Sequence, residues 1–211
     1  MKLTILGASG ATGTCLVTQA LAAGHSVAAV VRDPARLTVP AQERLEVVTA
    51  NVMDPAAIAP AIKDADVVIT AVGPHGTARG TLRQDSTLAI MRAMRMTGAK
   101  RLMVVSGSIV ADEGESFYLR YLLKPVVRRT FLRYVTADFA ATEADVVASG
   151  LEWTIFRPPS LNDKPAKGTY RVAVERNLPR CFSITRSDLA ACMLRMLDDP
   201  ATVGKHVCVA N

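Results

Sequence analysis

The sequence predicts a doubly wound α/β domain with a mostly parallel sheet, and three observations carry that expectation. Seven short apolar runs are spread along the chain, helical patterns fall between them, and the first run leads directly into the glycine-spaced "GASGATG" at 7 to 13. The runs are "LTILG" (3 to 7), "SVAAVVR" (26 to 32), "LEVVTA" (45 to 50), "DVVITAVG" (66 to 73), "RLMVVSG" (101 to 107), "LEWTIFRP" (151 to 158) and "HVCVA" (206 to 210). Each is apolar on both alternations, which suits strands buried on both faces by helices. Strand, helix, strand, repeated in this way, gives the doubly wound arrangement.

The helical segments follow in order. "ATGTCLVTQALAAG" sets Leu16, Val17, Ala20 and Leu21 on one face and stops at Gly24; "TLRQDSTLAIMRAMRMTGA" repeats that design and stops at Gly98. Residues 111 to 149 are expected to be mostly helical, with Pro125 kinking or restarting a helix. Turn formers crowd 159 to 184 around the alternating "TYRVAVE", which predicts a loop and a short antiparallel excursion on the substrate side of a single domain spanning 1 to 211. "TRSDLAACMLRML" begins a last helix, with Thr185 and Asp188 spaced as an acidic capping box.

Composition narrows the function classes. No apolar run approaches the roughly 20 residues of a membrane span, and no basic-then-apolar leader precedes the glycines, so a cytoplasmic protein is expected. Cys15, Cys181, Cys192 and Cys208 have neither CxxC spacing nor a histidine cluster beside them, which predicts reduced thiols and no metal site. A net charge of +6 would suit nucleic acid, but few aromatics interleave with the basic residues and no nucleic-acid motif is present. A local positive potential serves an anionic small molecule equally well. The densest basic stretch, with Arg120, Lys124, Arg128, Arg129 and Arg133, reads as the solvated face of a surface helix.

The glycines carry the chemistry. Following a strand and opening a helix, Gly7 permits a tight turn, Gly10 lets the backbone approach a pyrophosphate, and Gly13 allows close packing of helix on sheet. The helix N-terminus then faces the phosphates, where the Ser9 and Thr12 hydroxyls also reach. At the end of the second strand, Arg32 and Arg36 replace the carboxylate that usually holds the ribose of NAD. A guanidinium fork suits a 2′-phosphate, so NADP(H) is expected over NAD(H), with Asp33 as the dissenting residue.

Taken in order, "GASGATG", "VVRDPARL", "ANVMD", "AVGP", "VVSGS" and "LEWTIFRPPSLND" resemble the atypical short-chain dehydrogenase/reductases. Within them the chain is similar to the NmrA-like NAD(P)-binding group that includes NADPH-dependent flavin reductase, also called biliverdin-IXβ reductase. The resemblance implies that Asn51 and Val52 lie against the adenine, that Ala71, Val72 and Gly73 pass beside the riboses, and that Pro158, Pro159 and Ser160 sit near the nicotinamide.

The departures restrict the reaction. Conventional members of the family use a serine with a Tyr-x-x-x-Lys pair, whereas Tyr118, Tyr121 and Tyr134 lack a lysine four residues on. Gly107 stands where relatives carry the active-site serine, flanked by Ser106 and Ser108, and Ser160 replaces a histidine. Ser106, Ser108 and His75, in the loop after the fourth strand, are the catalytic candidates. Hydride transfer to a flavin, quinone or similar conjugated acceptor needs chiefly proximity and orientation, while reduction of an unactivated ketone needs a positioned acid. The expected function is therefore an NADPH-dependent reductase of a small-molecule acceptor. A non-enzymatic NADP(H) sensor is the alternative, and a sugar-nucleotide epimerase or dehydratase the third reading.

Overall fold

The computed structural model describes residues 1–73, 80–110 and 133–211. Six strands alternate with helices to build the body: β1 (Lys2–Leu6), α1 (Ala11–Ala22), β2 (Ser26–Val31), β3 (Leu45–Thr49), α2 (Pro55–Ile62), β4 (Val67–Thr70), α3 (Leu82–Thr97), β5 (Arg101–Val105), α4 (Arg133–Val147) and β6 (Glu152–Arg157). The remainder comprises β7 (Ser160–Asn162), β8 (Arg171–Val174), β9 (Ser183–Thr185), α5 (Arg186–Arg195) and β10 (Lys205–Ala210). The main sheet has the order β3-β2-β1-β4-β5-β6-β10-β8. All its pairs are parallel except β10 with β8, which supplies the expected antiparallel excursion. This is a Rossmann-type α/β fold. Its strand order reverses between β1 and β4, and a crevice opens there at the strands' C-terminal ends.

Alternate residues of the central strands bury two cores. Leu3, Ile5, Val27, Ala29 and Val31 pack with Leu16, Val17 and Ala20 of α1 and with Leu189 and Met193 of α5. Ala28, Val30, Val68, Leu102 and Val104 pack on the other face with Ile58 and Ile62 of α2, Ile90 and Met94 of α3 and Val146 of α4. The strands read as continuous apolar runs because both faces are covered. β3 is the exception: it forms the sheet edge, Val47 is 42% exposed, and only one neighbour pairs with it.

The helix stops fall where the glycines place them. Gly24 adopts φ +85° just beyond α1, with the N–H of His25 donating to the Ala20 carbonyl at 3.0 Å, and Gly98 closes α3 at φ +79°. α2 lies outside the sequence expectation, although its start is marked: the Asp54 carboxylate accepts the Ala56 and Ala57 N–H groups at 3.0 and 3.3 Å, and Pro55 takes the first position. α4 occupies the end of the stretch expected to be helical; Pro125 and the basic residues from 120 to 129 lie outside the described residues. β7 and β9 form an unanticipated two-stranded parallel sheet.

The expected capping box is only half formed. Thr185 Oγ1 accepts the Asp188 N–H at 3.0 Å, but the Thr185 N–H donates to Asn211 Oδ1 rather than to Asp188. The Asp188 carboxylate is instead a buried hub, accepting the Lys167 and Gly168 N–H groups at 3.0 Å each, the Asn211 amide at 2.9 Å and the Thr185 hydroxyl at 2.8 Å. Burial alone would raise its pKa, and these four donors outweigh burial to hold it below the ordinary carboxylate value. The hub ties the chain end and the 163 to 170 loop to α5. Asp188→Asn turns a donor towards donors and is expected to cost about 1–3 kcal/mol at neutral pH in urea unfolding. Because the folded pKa is depressed, wild-type and variant stabilities converge as pH falls through the ordinary carboxylate range towards the lower folded value.

Candidate functional site

The crevice is built on close backbone packing around Gly7. This residue adopts φ +79°, and a Cβ there would lie 3.0 Å from the Ala71 carbonyl carbon and the Val72 nitrogen. A Cβ on Gly13 would meet the Gly7 oxygen at 2.1 Å, so α1 sits directly on the turn that precedes it. Gly10 differs. Its φ of −78° and ψ of 161° suit any residue, and a Cβ would meet only the Gly7 oxygen at 3.2 Å. The fold itself therefore requires glycine at 7 and 13, while the vacancy at 10 keeps one side of the turn open to a ligand.

One cleft collects residues from four loops. Gly7, Ser9 and Gly10 line it with Arg32 and Arg36 from the end of β2, Asn51 and Val52 from the loop after β3, and Ala71, Val72 and Gly73 from the loop after β4. Val30, Val31, Ala50, Met53 and Leu82 complete the wall, and the sequence reading had not singled these out. Thr12 and Gly13 lie in the first turn of α1, whose N-cap, Gly10, gives no side-chain cap. The helix start thus presents amide donors beside a glycine cradle, an arrangement suited to a pyrophosphate. Around it, the Asn51 side chain accepts the Met53 N–H at 3.1 Å and shapes the loop, and the Asp33 carboxylate accepts the Ala35 N–H at 3.0 Å as the cap of the 34–36 turn.

A second set of residues gathers at the ends of β5 and β6. Ser108 donates its N–H to the Pro158 carbonyl at 2.8 Å and accepts the Asn177 amide at 3.2 Å on its own carbonyl. Pro158 is buried, Pro159 half-buried, and Ser160 exposed at the start of β7. Ser106 is 4% exposed and its hydroxyl donates to Glu143 Oε1 at 2.5 Å. Glu143 also receives a two-pronged contact from Arg157, with Nη2 2.5 Å from Oε2 and Nε 3.1 Å from Oε1. His206 approaches the same carboxylate at 3.8 Å, stands 3.5 Å from Glu175, and packs on Trp153. The Ser106 hydroxyl is thus engaged in a buried ion-pair network. His75, Tyr118 and Tyr121 lie outside the described residues; Tyr134 lies in α4 with the Arg133 guanidinium 4.4 Å over its ring.

Position 107 has a steric explanation. A Cβ on Gly107 would be 2.9 Å from Phe139 Cε2, so the Phe139 ring occupies the space of a side chain there. The ring is held in place by Arg83, whose guanidinium stacks on it at 4.0 Å and pairs with Asp138 at 3.3 Å. Burial lowers the Arg83 pKa, with Asp138 opposing that shift. Asp138 in turn accepts the Gln84 N–H at 3.1 Å, joining α4 to the start of α3.

Comparison with known proteins agrees with this geometry. The model of a family described as NAD(P)H-binding matches residues 7–200. The chain belongs to the NAD(P)H-binding family. An uncharacterised sugar epimerase of Bacillus subtilis, YhfK, is 31% identical over 96% of this chain and 90% of its own. Two solved structures share the fold: ChuY, an anaerobillin reductase from Escherichia coli O157:H7 (21% identity, TM-score 0.78, covering 100% of this chain and 97% of that one), and a short-chain dehydrogenase/reductase from Veillonella parvula in complex with NADP (19%, 0.78, 100% and 94%). The atypical short-chain dehydrogenase/reductase group fits this family placement. Among the described residues no helix is long and apolar enough to cross a membrane.

Two expectations test this site. Gly13→Ala should destabilise the protein severely, because the methyl group meets backbone, whereas Gly10→Ala should leave the melting temperature within a few degrees and weaken NADP⁺ binding at least about tenfold. Near-normal titration of Gly10→Ala would assign the glycine to the turn alone. Gly107→Ser should cost about 1–3 kcal/mol by overpacking against Phe139. Pairing it with Phe139→Ala in a double-mutant cycle should reveal a coupling above about 0.5 kcal/mol.

Proposed function

We propose that this member of the NAD(P)H-binding family is an NADPH-dependent reductase that passes hydride to a flavin, quinone or similar conjugated acceptor. One observation carries the reading: Arg32 and Arg36 line the same cleft as the glycine turn, while the neighbouring Asp33 carboxylate is drawn into capping its own turn. Two guanidinium groups at that end of the cleft favour a 2′-phosphate by charge and by donor geometry. Gly7, Ser9, Gly10, Thr12 and Gly13 would hold the pyrophosphate, Asn51 and Val52 the adenine, Ala71 to Gly73 the riboses, and Pro158, Pro159 and Ser160 the nicotinamide end. The bound dinucleotide supplies the hydride. The protein's part is to orient it.

The acceptor class follows from what surrounds Ser108. Ser106 donates a hydrogen bond to Glu143, and Phe139 fills the space at Gly107, so among the described residues neither position 106 nor position 107 offers an unengaged hydroxyl to an acceptor. A conjugated acceptor that takes its proton from solvent tolerates this; an unactivated ketone does not. The same two observations favour the second reading, a cofactor sensor. A protein partner whose binding differs between oxidised and reduced cofactor would support that alternative.

Arg32→Ala is expected to weaken NADP⁺ binding by about 10- to 150-fold, equivalent to about 1.5–3 kcal/mol for a charge-assisted contact, with NAD⁺ binding hardly changed. Calorimetric titration of both cofactors on both proteins measures the ratio, and a wild type that favours NAD⁺ would overturn the assignment. Steady NADPH consumption with menadione or flavin is the matching test of reaction class. Tight cofactor binding without turnover across such acceptors would leave the sensor reading.

A further inference from the structure

The fold brings together two thiols that the sequence leaves far apart. Cys181, in the segment between β8 and β9, has its Sγ 3.5 Å from the Sγ of Cys208 in β10, across a separation of 27 residues. Cys208 is buried in the strand, with Arg157 of β6 and Ala173 of β8 as its register partners, while Cys181 is partly exposed. The segment bearing Cys181 is braced at two points. Arg171 donates to the Pro179 and Arg180 carbonyls at 2.8 and 3.2 Å, and Glu175 clasps His206 by its N–H to the His206 carbonyl at 2.8 Å and by its carboxylate to the His206 N–H at 2.7 Å. The thiols are therefore held near each other by contacts that do not involve sulfur.

We infer that Cys181 and Cys208 form an oxidative modification site, a dithiol that a peroxide converts to a disulfide closing the β8–β9 segment onto β10. The partly exposed Cys181 sulfur, as thiolate, attacks a peroxide oxygen; the O–O bond breaks, hydroxide leaves and is protonated to water, and a sulfenic acid remains. The Cys208 sulfur then attacks the Cys181 sulfur, loses its proton, and displaces the sulfenic oxygen as a second water. The two sulfurs lose two electrons and the peroxide gains them. The sulfurs need to close from 3.5 Å to about 2.05 Å, within reach of side-chain rotation and a small shift of the loop.

Selectivity for this pair has a physical basis. Cys192 is fully buried and its thiol is pushed up to about 12 by that burial, and burial with Asp163 nearby also raises Cys15. Neither supplies much thiolate at neutral pH. The consequence of closure falls near the candidate acceptor end, because the same segment carries Asn177, whose amide reaches the Ser108 carbonyl. It leaves the glycine turn untouched, since β1 lies on the far side of β4, β5 and β6 from β10.

The test treats the whole folded protein with hydrogen peroxide and follows it by mass. Trypsin cuts after Arg180, Arg186 and Lys205, so the disulfide joins the peptide 181–186 to 206–211. The expected result is a loss of two hydrogens, that linked peptide, reversal by dithiothreitol, and no linkage in Cys181→Ser or Cys208→Ala. Hydrogen exchange across 175–182 should slow at least about threefold on oxidation while NADP⁺ affinity stays the same. A folded wild type that oxidises without the linked peptide, or links through Cys15 or Cys192 instead, overturns the inference. So does an unchanged exchange rate in the linked protein.

Discussion

Three backbone segments crowd around Gly7, and the site exists because they do. The turn after β1, the start of α1 and the loop after β4 approach so closely that neither Gly7 nor Gly13 has room for a methyl group. The crowding follows from the sheet. β1 and β4 are parallel neighbours, with Leu6 and Thr70 in register, so the chains leaving them emerge side by side and must diverge within a few residues. α1 packs on one face and α2 and α3 on the other, and the divergence opens the crevice at the strand ends. Gly10 stands outside this crowd, which separates what the fold demands of the motif from what a ligand demands.

At the other end, packing determines what surrounds Ser106 and Gly107. Phe139 takes the volume beside Gly107, and Glu143, one helical turn further along α4, takes the hydroxyl of Ser106. Both residues lie on the side of α4 that meets β6 and the turn after β5, so a single helix governs both positions. Arg157 neutralises Glu143 with the fork geometry that makes such a buried contact tolerable, and breaking it from one side would strand a charge. The arrangement is therefore one buried, hydrogen-bonded network.

The legibility of each feature tracked how local its cause was. β1, the glycine turn and α1 are readable because strand, turn and helix are consecutive and Gly10 and Gly13 both answer to Gly7 close by, whereas the demand that Ala71 and Val72 place on Gly7 comes from the distant loop after β4. The central strands were readable because burial on both faces leaves an unbroken apolar run. β3 shares that composition yet sits at the edge, since which strand ends the sheet is a matter of topology and not of the run itself. α2 is hard to read because "PAAIAPAI" spans only eight residues and carries Pro60 inside the helix, although Asp54 and Pro55 announce its start. The capping box failed for a different reason: Asn211, at the far end of the chain, competes for the Thr185 N–H.

The same rule explains why the cofactor end spoke more clearly than the acceptor end. The role of Asp33 turns on Pro34 and Ala35 beside it: the proline starts a short turn, the carboxylate caps it, and the two arginines at 32 and 36 are left to line the cleft. All of that is written in five consecutive residues. The surroundings of Ser106, by contrast, depend on Glu143 from 37 residues away and on Arg157 a further 14 along. A serine in "VVSGS" looks the same whether its hydroxyl faces a substrate or a carboxylate. Only the packing of α4 against β6 and the turn after β5 distinguishes the two, and that packing has no signature within the motif.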